Sequence, residues 1–558
     1  MPRWRGYGVD FLLGCLVPCA LPPIGLWPLL LFIIPSIFWR CAASVDWRCA
    51  FVRGWLFGCG QFFVGLYWVG AAFLVEADMF LWALPFAVCL LAMGLGLFCA
   101  LAFAVWRRLV GSKTTDFSAL LYWVVCLSAS EWLRGHILTG FPWNLSGMAF
   151  LGYLPLAQAA SLWGIYGQSF LVLLLALSPV FYLWARPSGF VFLCLFAALL
   201  GGGLLQLADP PMQFFDSSKK SAPLIKSGTP MQTAHPLHIR IVQPSIVQKE
   251  KWRPENRAAI IDTYLALTQA DWQGPTDWQD MTSGQDMTDR FSTPIQAMII
   301  VWPETALPAL IDNDTHLRQR IADILPKGSV LITGALRRVV THQADGVGFK
   351  SFNSIMVLND AGEILQIYDK YHLVPFGEYL PFQRLLERIG LTQLTRLRGG
   401  FVAGRPPQIQ YVGDIPPFMP LICYEVIFPN LVAGRGRQNA SLNGQKRPAW
   451  LVNVTNDGWF GRTIGPGQHL AAAQMRAIEL GLPLVRAANT GISALIDGRG
   501  RIVDFRPLYV RNVLDVTLPP PLAPTFYSRF GDGVFFLMLL ISVVLGFLMR
   551  HIVFSSKI

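Results

Sequence analysis

The sequence has few charged residues for its length. Of its 558 residues, 14% are Asp, Glu, Lys or Arg, whereas a soluble protein carries roughly 25%. Apolar residues make up 53%, and the mean hydropathy is +0.44. This shortage of charge excludes an ordinary soluble protein and indicates a membrane protein. The length is too great for one compact domain and predicts two or three units.

Cysteine is nearly absent from the polar part of the chain. Nine of the 10 cysteines lie in or beside the apolar N-terminal third, where small packing residues of membrane helices are expected. These are Cys15, Cys19, Cys41, Cys49, Cys59, Cys89, Cys99, Cys126 and Cys194. Cys423 is the single cysteine of the long polar portion. A domain with one cysteine cannot form an internal disulfide, so this thiol needs another role.

A basic stripe interleaved with aromatic residues, which would track a nucleic-acid strand, is also missing despite the net charge of +11. Many Lys and Arg residues lie instead in short loops between apolar runs, where they orient helices in a bilayer. No His/Cys/Asp cluster has the spacing of metal ligands. The sequence therefore predicts no nucleic-acid partner, no metal and no other cofactor.

Eight apolar runs have about the 20 residues that a helix needs to span a bilayer. They lie at about 8–24, 25–45, 51–74, 80–106, 117–138, 162–185, 189–207 and 532–552. We therefore predict a membrane domain over 1–207 with about seven helices, and a C-terminal transmembrane helix over 530–553. The excess of Lys and Arg in alternate loops predicts cytoplasmic termini and an extracytoplasmic segment between these two regions, which in a bacterium is periplasmic and anchored in the inner membrane.

The long polar segment contains a linker and an α/β domain. Residues 208–237 are rich in Pro, Ser and Lys, which predicts the linker. Over 238–518, short runs rich in Val and Ile are mixed with helical patterns, which predicts a domain built on sheets. Two polar stretches, 272–294 and 433–448, are predicted to be surface loops.

Three predicted strands end in groups that suit acyl transfer. Glu304 ends AMIIVWPE, Lys370 follows EILQIYD, and Cys423 ends MPLIC. Taken singly, each has a simpler explanation as a solvated strand end or a core cysteine. Together they are chemically consistent, because a thiol of pKa near 8.5 needs a base or a cation to react. A glutamate can accept its proton, a lysine can stabilise the oxyanion, and a thioester can carry the acyl group.

Five blocks of sequence resemble the signature of the apolipoprotein N-acyltransferase family, which belongs to the nitrilase superfamily. The blocks are SEWLRGHILTGFPW (130–143), PETA (303–306), YDKYHLVPFGEYLPF (368–382), ICYE (422–425) and NDGWFG (456–461). The resemblance implies a nitrilase-like α-β-β-α sandwich over 238–518. It also implies a triad in which Glu304 is the general base, Lys370 stabilises the oxyanion and Cys423 is the nucleophile.

The resemblance further implies the reaction and its partners. The donor is a phospholipid, by preference phosphatidylethanolamine, and the chain passes through a thioester on the enzyme. The acceptor is the α-amino group of the diacylglyceryl-cysteine that begins an apolipoprotein, so the reaction is the last step of lipoprotein maturation.

Supporting residues follow from the same resemblance. Glu378 supports the triad near Lys370, Trp252 lies near the pocket mouth, and Tyr424 and Glu425 follow the nucleophile, Glu425 in a structural role. Trp459 either forms a pocket wall or is a core residue. The segment 376–400 mixes apolar and charged groups, which favours an arm over the active site that touches lipid, with a packed helix as the alternative.

Other interpretations of the sequence stay open. His372 or His469 could pair with Cys423 in a papain-like dyad. A membrane-tethered nitrilase or amidase would use the same triad on small amides. A transporter would use Glu131 and Arg134 as intramembrane charges, although these two can also pair across one helical turn.

Overall fold

The computed structural model describes residues 3–75, 77–111, 114, 116–184, 186–208, 237–271, 298–343, 346–388, 400–433 and 447–555. Several predicted features lie wholly or largely outside these residues. They are residues 209–236 of the linker, the insert 272–294, residues 434–446 of the second insert, and residues 389–399 of the arm.

The apolar runs before residue 208 fold as helices that pack on one another. Their bounds are Arg3–Ala20, Leu30–Ala42, Trp47–Gly65, Gly70–Val75, Leu84–Val110, Phe117–Arg134, Ala160–Ala176, Ser178–Trp184 and Arg186–Ala208. Small residues allow close approach of two of these helices, since a Cβ on Gly58 would lie 2.7 Å from the Cα of Gly96. The C-terminal apolar run forms the helix Gly533–Ser555, which packs against Phe117–Arg134.

Length and apolar composition identify the helices that can cross a membrane. Within the described residues, Leu81–Val110 and Gly533–Arg550 can each do so alone. A third crossing results if Trp47–Gly65 and Tyr67–Val75, which are bent by 52°, act as one span. Four more apolar helices have 10–17 residues. The number of eight spans therefore stays a prediction.

The polar segment forms two six-stranded sheets in the described residues. The strands are β1 (His238–Gln243), β2 (Met298–Trp302), β3 (Val330–Gln343), β4 (Gly346–Asn359), β5 (Ile364–Asp369), β6 (Gln410–Val412), β7 (Ile415–Ile422), β8 (Trp450–Thr455), β9 (Leu484–Ala488), β10 (Ser493–Ile496), β11 (Ile502–Arg506) and β12 (Asn512–Thr517). The first sheet has the order β12-β1-β2-β3-β4-β5 and the second β11-β10-β9-β8-β7-β6. Strands β1, β2 and β3 run parallel, as do β7, β8 and β9. β2 (MIIVW), β7 (IPPFMPLI) and β8 (WLVNVT) are buried on both faces, which explains why their sequences are largely apolar.

Helices cover the outer face of each sheet. The helices Arg257–Gln269 and Thr315–Ala322 share a core with the first sheet, and the inner faces of the two sheets form a second core between them. The helix Gly465–Leu480 lies on the second sheet and also packs on the N-terminal helix Ala160–Ala176. The layers therefore follow the order helix, sheet, sheet, helix, and the last layer joins the catalytic part to the N-terminal helices.

Candidate active site

The three predicted triad residues meet where strands of the two sheets end. Glu304 lies two residues after β2, Lys370 directly after β5, and Cys423 directly after β7. Lys370 Nζ is 3.6 Å from Glu304 Oε1, and the charges of both act on the Cys423 thiol. All three side chains are buried. The geometry thus combines a carboxylate, an ammonium and a thiol in one water-poor site.

Glu378 completes the charge balance around Lys370. Its Oε1 accepts a hydrogen bond of 2.9 Å from Lys370 Nζ, and its Oε2 accepts one of 2.8 Å from the backbone N–H of Val374. Burial acts to lower the pKa of Lys370, but Glu378 and then Glu304 outweigh it and raise that pKa. Lys370 is therefore a fixed cation, which suits the stabilisation of an oxyanion.

The Cys423 thiol is held in its protonated form. Burial, and then the negative charge of Glu304, raise the pKa of the thiol far above its ordinary value, against the opposing effect of Lys370. Thr455 beside the thiol also acts to lower this pKa. Cys423 has a φ of 49°, in the left-handed region that side chains other than glycine rarely adopt. Such local strain is often found at functional residues, and a protonated thiol needs a proton acceptor before it can attack.

Asn353, which the sequence analysis did not identify, links the two carboxylates of the site. Its Nδ2 donates to Glu304 Oε1 at 2.7 Å and to Glu378 Oε1 at 2.9 Å. Its backbone oxygen also accepts a hydrogen bond from the N–H of Lys370. Asn353 lies in β4 and is buried. The signal in the sequence was a polar residue inside the apolar run FNSIMVL.

A second lysine supports Glu304 from the other side. Lys251 is buried, and its Nζ donates to the backbone oxygen of Glu304 and to Thr305 Oγ1, both at 3.3 Å. Burial lowers the pKa of Lys251 to about 8, against the opposing effect of Glu304. Thr305 has a φ of 42°, so the segment after β2 turns sharply. The sequence analysis did not identify Lys251, because the family resemblance assigned a role to its neighbour Trp252 and none to Lys251.

Tyr424 and Glu425 fix the loop that holds the nucleophile. Glu425 Oε1 accepts hydrogen bonds from Tyr368 OH and from the N–H groups of Tyr371 and His372 at 2.7–3.1 Å, and its Oε2 accepts one from Ile422 N–H at 2.7 Å. This carboxylate therefore joins the end of β7 to the loop of Lys370.

Tyr424 connects this loop to the N-terminal part. Its hydroxyl donates to the backbone oxygen of Gly140 at 3.3 Å, and its ring stacks on Phe141.

The two predicted tryptophans are both partly accessible to solvent. Trp252 directly follows Lys251 and is 47% exposed. Trp459 is half-buried in the 3₁₀ turn Asp457–Phe460. In the described part of the arm, the helix Gln383–Arg388 follows Phe382, whose side chain is 82% exposed. Trp252 and Phe382 therefore present apolar surface to solvent.

His469 contacts the nucleophile through its backbone and not through its sulfur. Nε2 lies 3.1 Å from the Cys423 backbone oxygen, and Nδ1 lies 2.9 Å from Asp457 Oδ1 and 3.1 Å from an Arg486 nitrogen. Burial, and then Arg486, lower the pKa of His469, against the opposing effect of Asp457. Both ring nitrogens are therefore directed away from the thiol, which disagrees with a dyad of His469 and Cys423.

His372 is a packing residue beside the same loop. Its ring stacks on Phe428 with 3.8 Å between ring centres. Burial lowers the pKa of His372 to about 4. This position favours the interpretation that His372 orients the loop.

Glu131 and Arg134 each hold the loop below the site. Arg134 Nη1 donates to the backbone oxygens of Phe141 and Trp143, both at 2.7 Å. Glu131 accepts hydrogen bonds from the N–H and the hydroxyl of Ser146. Glu131 and Arg134 therefore each form hydrogen bonds with residues of the loop 141–146. These contacts take the place of the predicted ion pair between the two side chains.

Comparison with known proteins supports one family. The model of the apolipoprotein N-acyltransferase N-terminal domain matches residues 13–178, and that of carbon-nitrogen hydrolases matches residues 242–523. An apolipoprotein N-acyltransferase of Rhodopseudomonas palustris is 40% identical over 95% of this chain and 92% of its own length. That of Bradyrhizobium diazoefficiens is 39% identical over 97% and 95%.

A solved structure gives a much weaker likeness. An amidase from Nesterenkonia sp. is 18% identical, covers 51% of this chain and 90% of its own, and has a TM-score of 0.31. A likeness of that size carries no argument about substrate. The near full-length relatives confirm the family that the five sequence blocks predicted. The chain therefore belongs to the apolipoprotein N-acyltransferase family of the nitrilase superfamily.

Proposed function

We propose that the chain transfers an acyl group from a phospholipid to the α-amino group of a diacylglyceryl-cysteine at the start of an apolipoprotein, through a thioester on Cys423. The observation that carries this proposal is the buried cluster of Glu304, Lys370 and Cys423, in which Lys370 Nζ lies 3.6 Å from Glu304. Glu378, Trp252, Tyr424, Glu425 and Trp459 are its proposed supporting residues.

In the first half-reaction, Glu304 takes the proton of the Cys423 thiol as the sulfur attacks the ester carbonyl of the donor. A bond forms between sulfur and carbon, and Lys370 stabilises the negative charge on the carbonyl oxygen. The bond between that carbon and the ester oxygen then breaks. Glu304 returns the proton to the leaving oxygen, so that a lysophospholipid departs and a thioester remains.

In the second half-reaction, the amine of the acceptor attacks the thioester carbon. Glu304 takes a proton from the nitrogen, a bond between carbon and nitrogen forms, and the bond between carbon and sulfur breaks. Glu304 then returns a proton to the sulfur. The two substrates use the site in turn, which predicts ping-pong kinetics.

A membrane position explains how the chain reaches an apolar substrate. Moving a sixteen-carbon acyl chain into water costs on the order of 12 kcal/mol. We propose that residues 1–207 and 530–553 form about eight spans of the bacterial inner membrane with cytoplasmic termini, and that the linker 208–237 leads to a periplasmic catalytic domain over 238–518. Support comes from the loop charges and from the contact of Tyr424 with Gly140, which sets the nucleophile against the N-terminal part.

The test is direct detection of the thioester. The purified full chain is incubated with phosphatidylethanolamine that carries a labelled acyl chain. The mass of the peptide that contains Cys423 is then measured by mass spectrometry before and after treatment with hydroxylamine. We expect a labelled Cys423 peptide in the wild type, and we expect hydroxylamine to remove this label. Cys423→Ala should carry no label, and the control Cys126→Ala should carry as much label as the wild type. Equal label in Cys423→Ala and the wild type would refute the mechanism.

A further inference from the structure

The backbone oxygen of Cys423 is held by two buried side chains. Cys423 has a φ of 49°, a conformation that a residue with a side chain keeps only when its surroundings fix it. His469 Nε2 lies 3.1 Å from the Cys423 backbone oxygen, and Asn453 Nδ2 donates to the same oxygen at 3.4 Å. His469 and Asn453 are both fully buried. The strained backbone of Cys423 therefore has specific polar partners.

The contacts of His469 determine which of its ring nitrogens carries a proton. A carbonyl oxygen only accepts hydrogen bonds, so Nε2 must be protonated in order to bind the Cys423 oxygen. Nδ1 lies 2.9 Å from Asp457 Oδ1, which is an acceptor, and 3.1 Å from Arg486 Nη2, which is a donor. Nδ1 therefore has a partner in the neutral ring and in the imidazolium alike. In both forms Nε2 donates to Cys423, and the tautomer with its only proton on Nδ1 is excluded.

An ion pair between Arg486 and Asp457 orients both of these donors. Arg486 is fully buried, and its Nη2 lies 2.7 Å from Asp457 Oδ2. Nη1 of Arg486 donates to the side-chain oxygen of Asn453. Because that oxygen accepts from Arg486, the amide nitrogen of Asn453 is directed toward the Cys423 carbonyl. The ion pair orients the ring of His469 in the same way, through the contacts of both partners with Nδ1.

The four side chains come from separate elements around the second sheet. Asn453 lies in β8, Asp457 in the turn after it, Arg486 in β9, and His469 in the helix that covers the sheet. Burial acts to raise the pKa of Asp457, but Arg486 and then His469 outweigh it and lower that pKa to about 2. The ion pair therefore keeps its charges at neutral and alkaline pH. These residues form a carbonyl clamp, which consists of Asn453, Asp457, His469 and Arg486.

We propose that the carbonyl clamp positions Cys423 by holding its backbone in the left-handed conformation that sets the sulfur beside Glu304 and Lys370. The proposal rests on the function proposed above, in which that sulfur attacks the donor. The clamp contacts the Cys423 carbonyl and not the reacting atoms, so its members are positioning residues. Without the clamp, the backbone would relax to a negative φ, and the sulfur would turn away from the two charges.

The experiment follows two properties of the full chain, which are the alkylation of Cys423 by iodoacetamide across pH 7 to about 10 and acyl transfer from phosphatidylethanolamine. In the wild type, burial and Glu304 raise the pKa of the thiol, so alkylation should keep rising with pH beyond about 8.5. In His469→Leu the clamp loses a donor and the sulfur leaves Glu304, so the alkylation rate should level off near about pH 8.5. Acyl transfer should fall by at least about tenfold.

A conservative substitution and a destabilised control separate positioning from folding. His469→Gln places an amide N–H where Nε2 of the ring would lie, so it should retain the wild-type pH profile and most of the acyl transfer. Met475→Ala truncates a fully buried side chain of the same helix that lies outside the clamp. It should lower the thermal midpoint and leave the pH profile of alkylation unchanged.

A wild-type pH profile in His469→Leu would overturn the proposal, whether or not acyl transfer falls. The same shift of the profile in His469→Gln or in Met475→Ala would overturn it as well. If His469→Leu does not fold, Asn453→Ala removes the other donor to the Cys423 oxygen and gives the same test.

A failure of the proposed function has a different signature. In that case phosphatidylethanolamine leaves no acyl group on Cys423 in the wild type. The alkylation profiles of the wild type and His469→Leu would still differ if the clamp holds the sulfur.

Discussion

At the residue scale, the reactivity of Cys423 depends on two charges with opposite effects. Glu304 raises the pKa of the thiol and Lys370 lowers it, while burial raises it most. The thiolate is the form that alkylating reagents attack. The rate of Cys423 alkylation by iodoacetamide should therefore keep rising with pH beyond about 8.5, where an ordinary thiol begins to level off. Peptide mass measured across pH 7 to about 10 gives this profile.

Substitution of the two charges should move alkylation in opposite directions. Glu304→Gln removes the negative charge, lowers the pKa of the thiol, and should speed alkylation at pH 8. Lys370→Met should slow it. Both variants should nevertheless lose at least about a hundredfold of acyl transfer, because the proposed base or the proposed oxyanion cation is gone. Near-normal transfer in either variant would reassign that role, and equal alkylation in all three proteins would place both charges away from the sulfur.

Asn353 gives a second residue-scale prediction. Its amide donates to both Glu304 and Glu378, and hydrogen bonds to charged groups contribute roughly 1.5–3 kcal/mol each. Asn353→Ala should lower acyl transfer at least about tenfold, since the two carboxylates lose their shared donor. The exposed Asn313 provides the control, and Asn313→Ala should retain the wild-type rate. Wild-type transfer in Asn353→Ala would remove this residue from the site.

At the scale of elements, the position of Glu304 depends on a glycine in the neighbouring strand. A Cβ on Gly334 in β3 would lie 2.5 Å from both the Glu304 Cα and the Pro303 backbone oxygen. Backbone atoms cannot avoid a clash by a change of rotamer, as a side chain can. Gly334→Ala should therefore displace Glu304 and lower the free energy of unfolding by about 1–3 kcal/mol. The thermal midpoint and the rate of acyl transfer should both fall. Gly94→Ala is the control, because its Cβ would have open space.

The same scale shows what the sequence could predict. Each of the runs at 238–244, 297–305, 419–425 and 449–457 overlaps a strand, because strands buried on both faces are rich in apolar residues. The three triad positions followed from the ends of predicted strands. Strand β12 was not predicted, because it pairs with β1 from about 270 positions away and its alternation is short. Asn353 and Lys251 were missed because their partners come from distant segments.

At the scale of the whole molecule, the N-terminal helices and the two-sheet part share a hydrophobic core. One cluster contains Phe150 and Leu173 of the N-terminal part together with Leu421, Leu451 and Ala477 of the catalytic part. The predicted boundary near residue 208 divides the sequence, but packing continues across it. No local sequence pattern could predict this contact, because the residues on each side of it belong to elements that would be apolar without it. The site is consequently built against the N-terminal helices rather than on a free domain.

Gln468 makes several polar contacts across this interface. Its Oε1 accepts hydrogen bonds from Trp68 Nε1 at 2.9 Å and Trp143 Nε1 at 2.7 Å, and its Nε2 donates to the backbone oxygen of Gly65 at 3.3 Å. Trp143 also lies against His469, with 5.6 Å between ring centres. Gln468 is therefore the point where two tryptophans of the N-terminal part contact the helix that supports the nucleophile.

Gln468→Leu should weaken this connection while it keeps the size of the side chain. The buried indole N–H of Trp143 would lose its acceptor, at a cost of roughly 1–3 kcal/mol, and that of Trp68 would keep only the Gly65 backbone oxygen at 3.2 Å, so the thermal midpoint should fall. Transfer from phospholipid should fall by at least about tenfold, whereas acylation of Cys423 by water-soluble p-nitrophenyl acetate should be largely retained, because the triad itself is unchanged. Gln474→Leu on the same helix is the control, since Gln474 donates to Gly500 of the catalytic part. If both variants lose both activities alike, Gln468 supports the helix and does not couple the nucleophile to the membrane part.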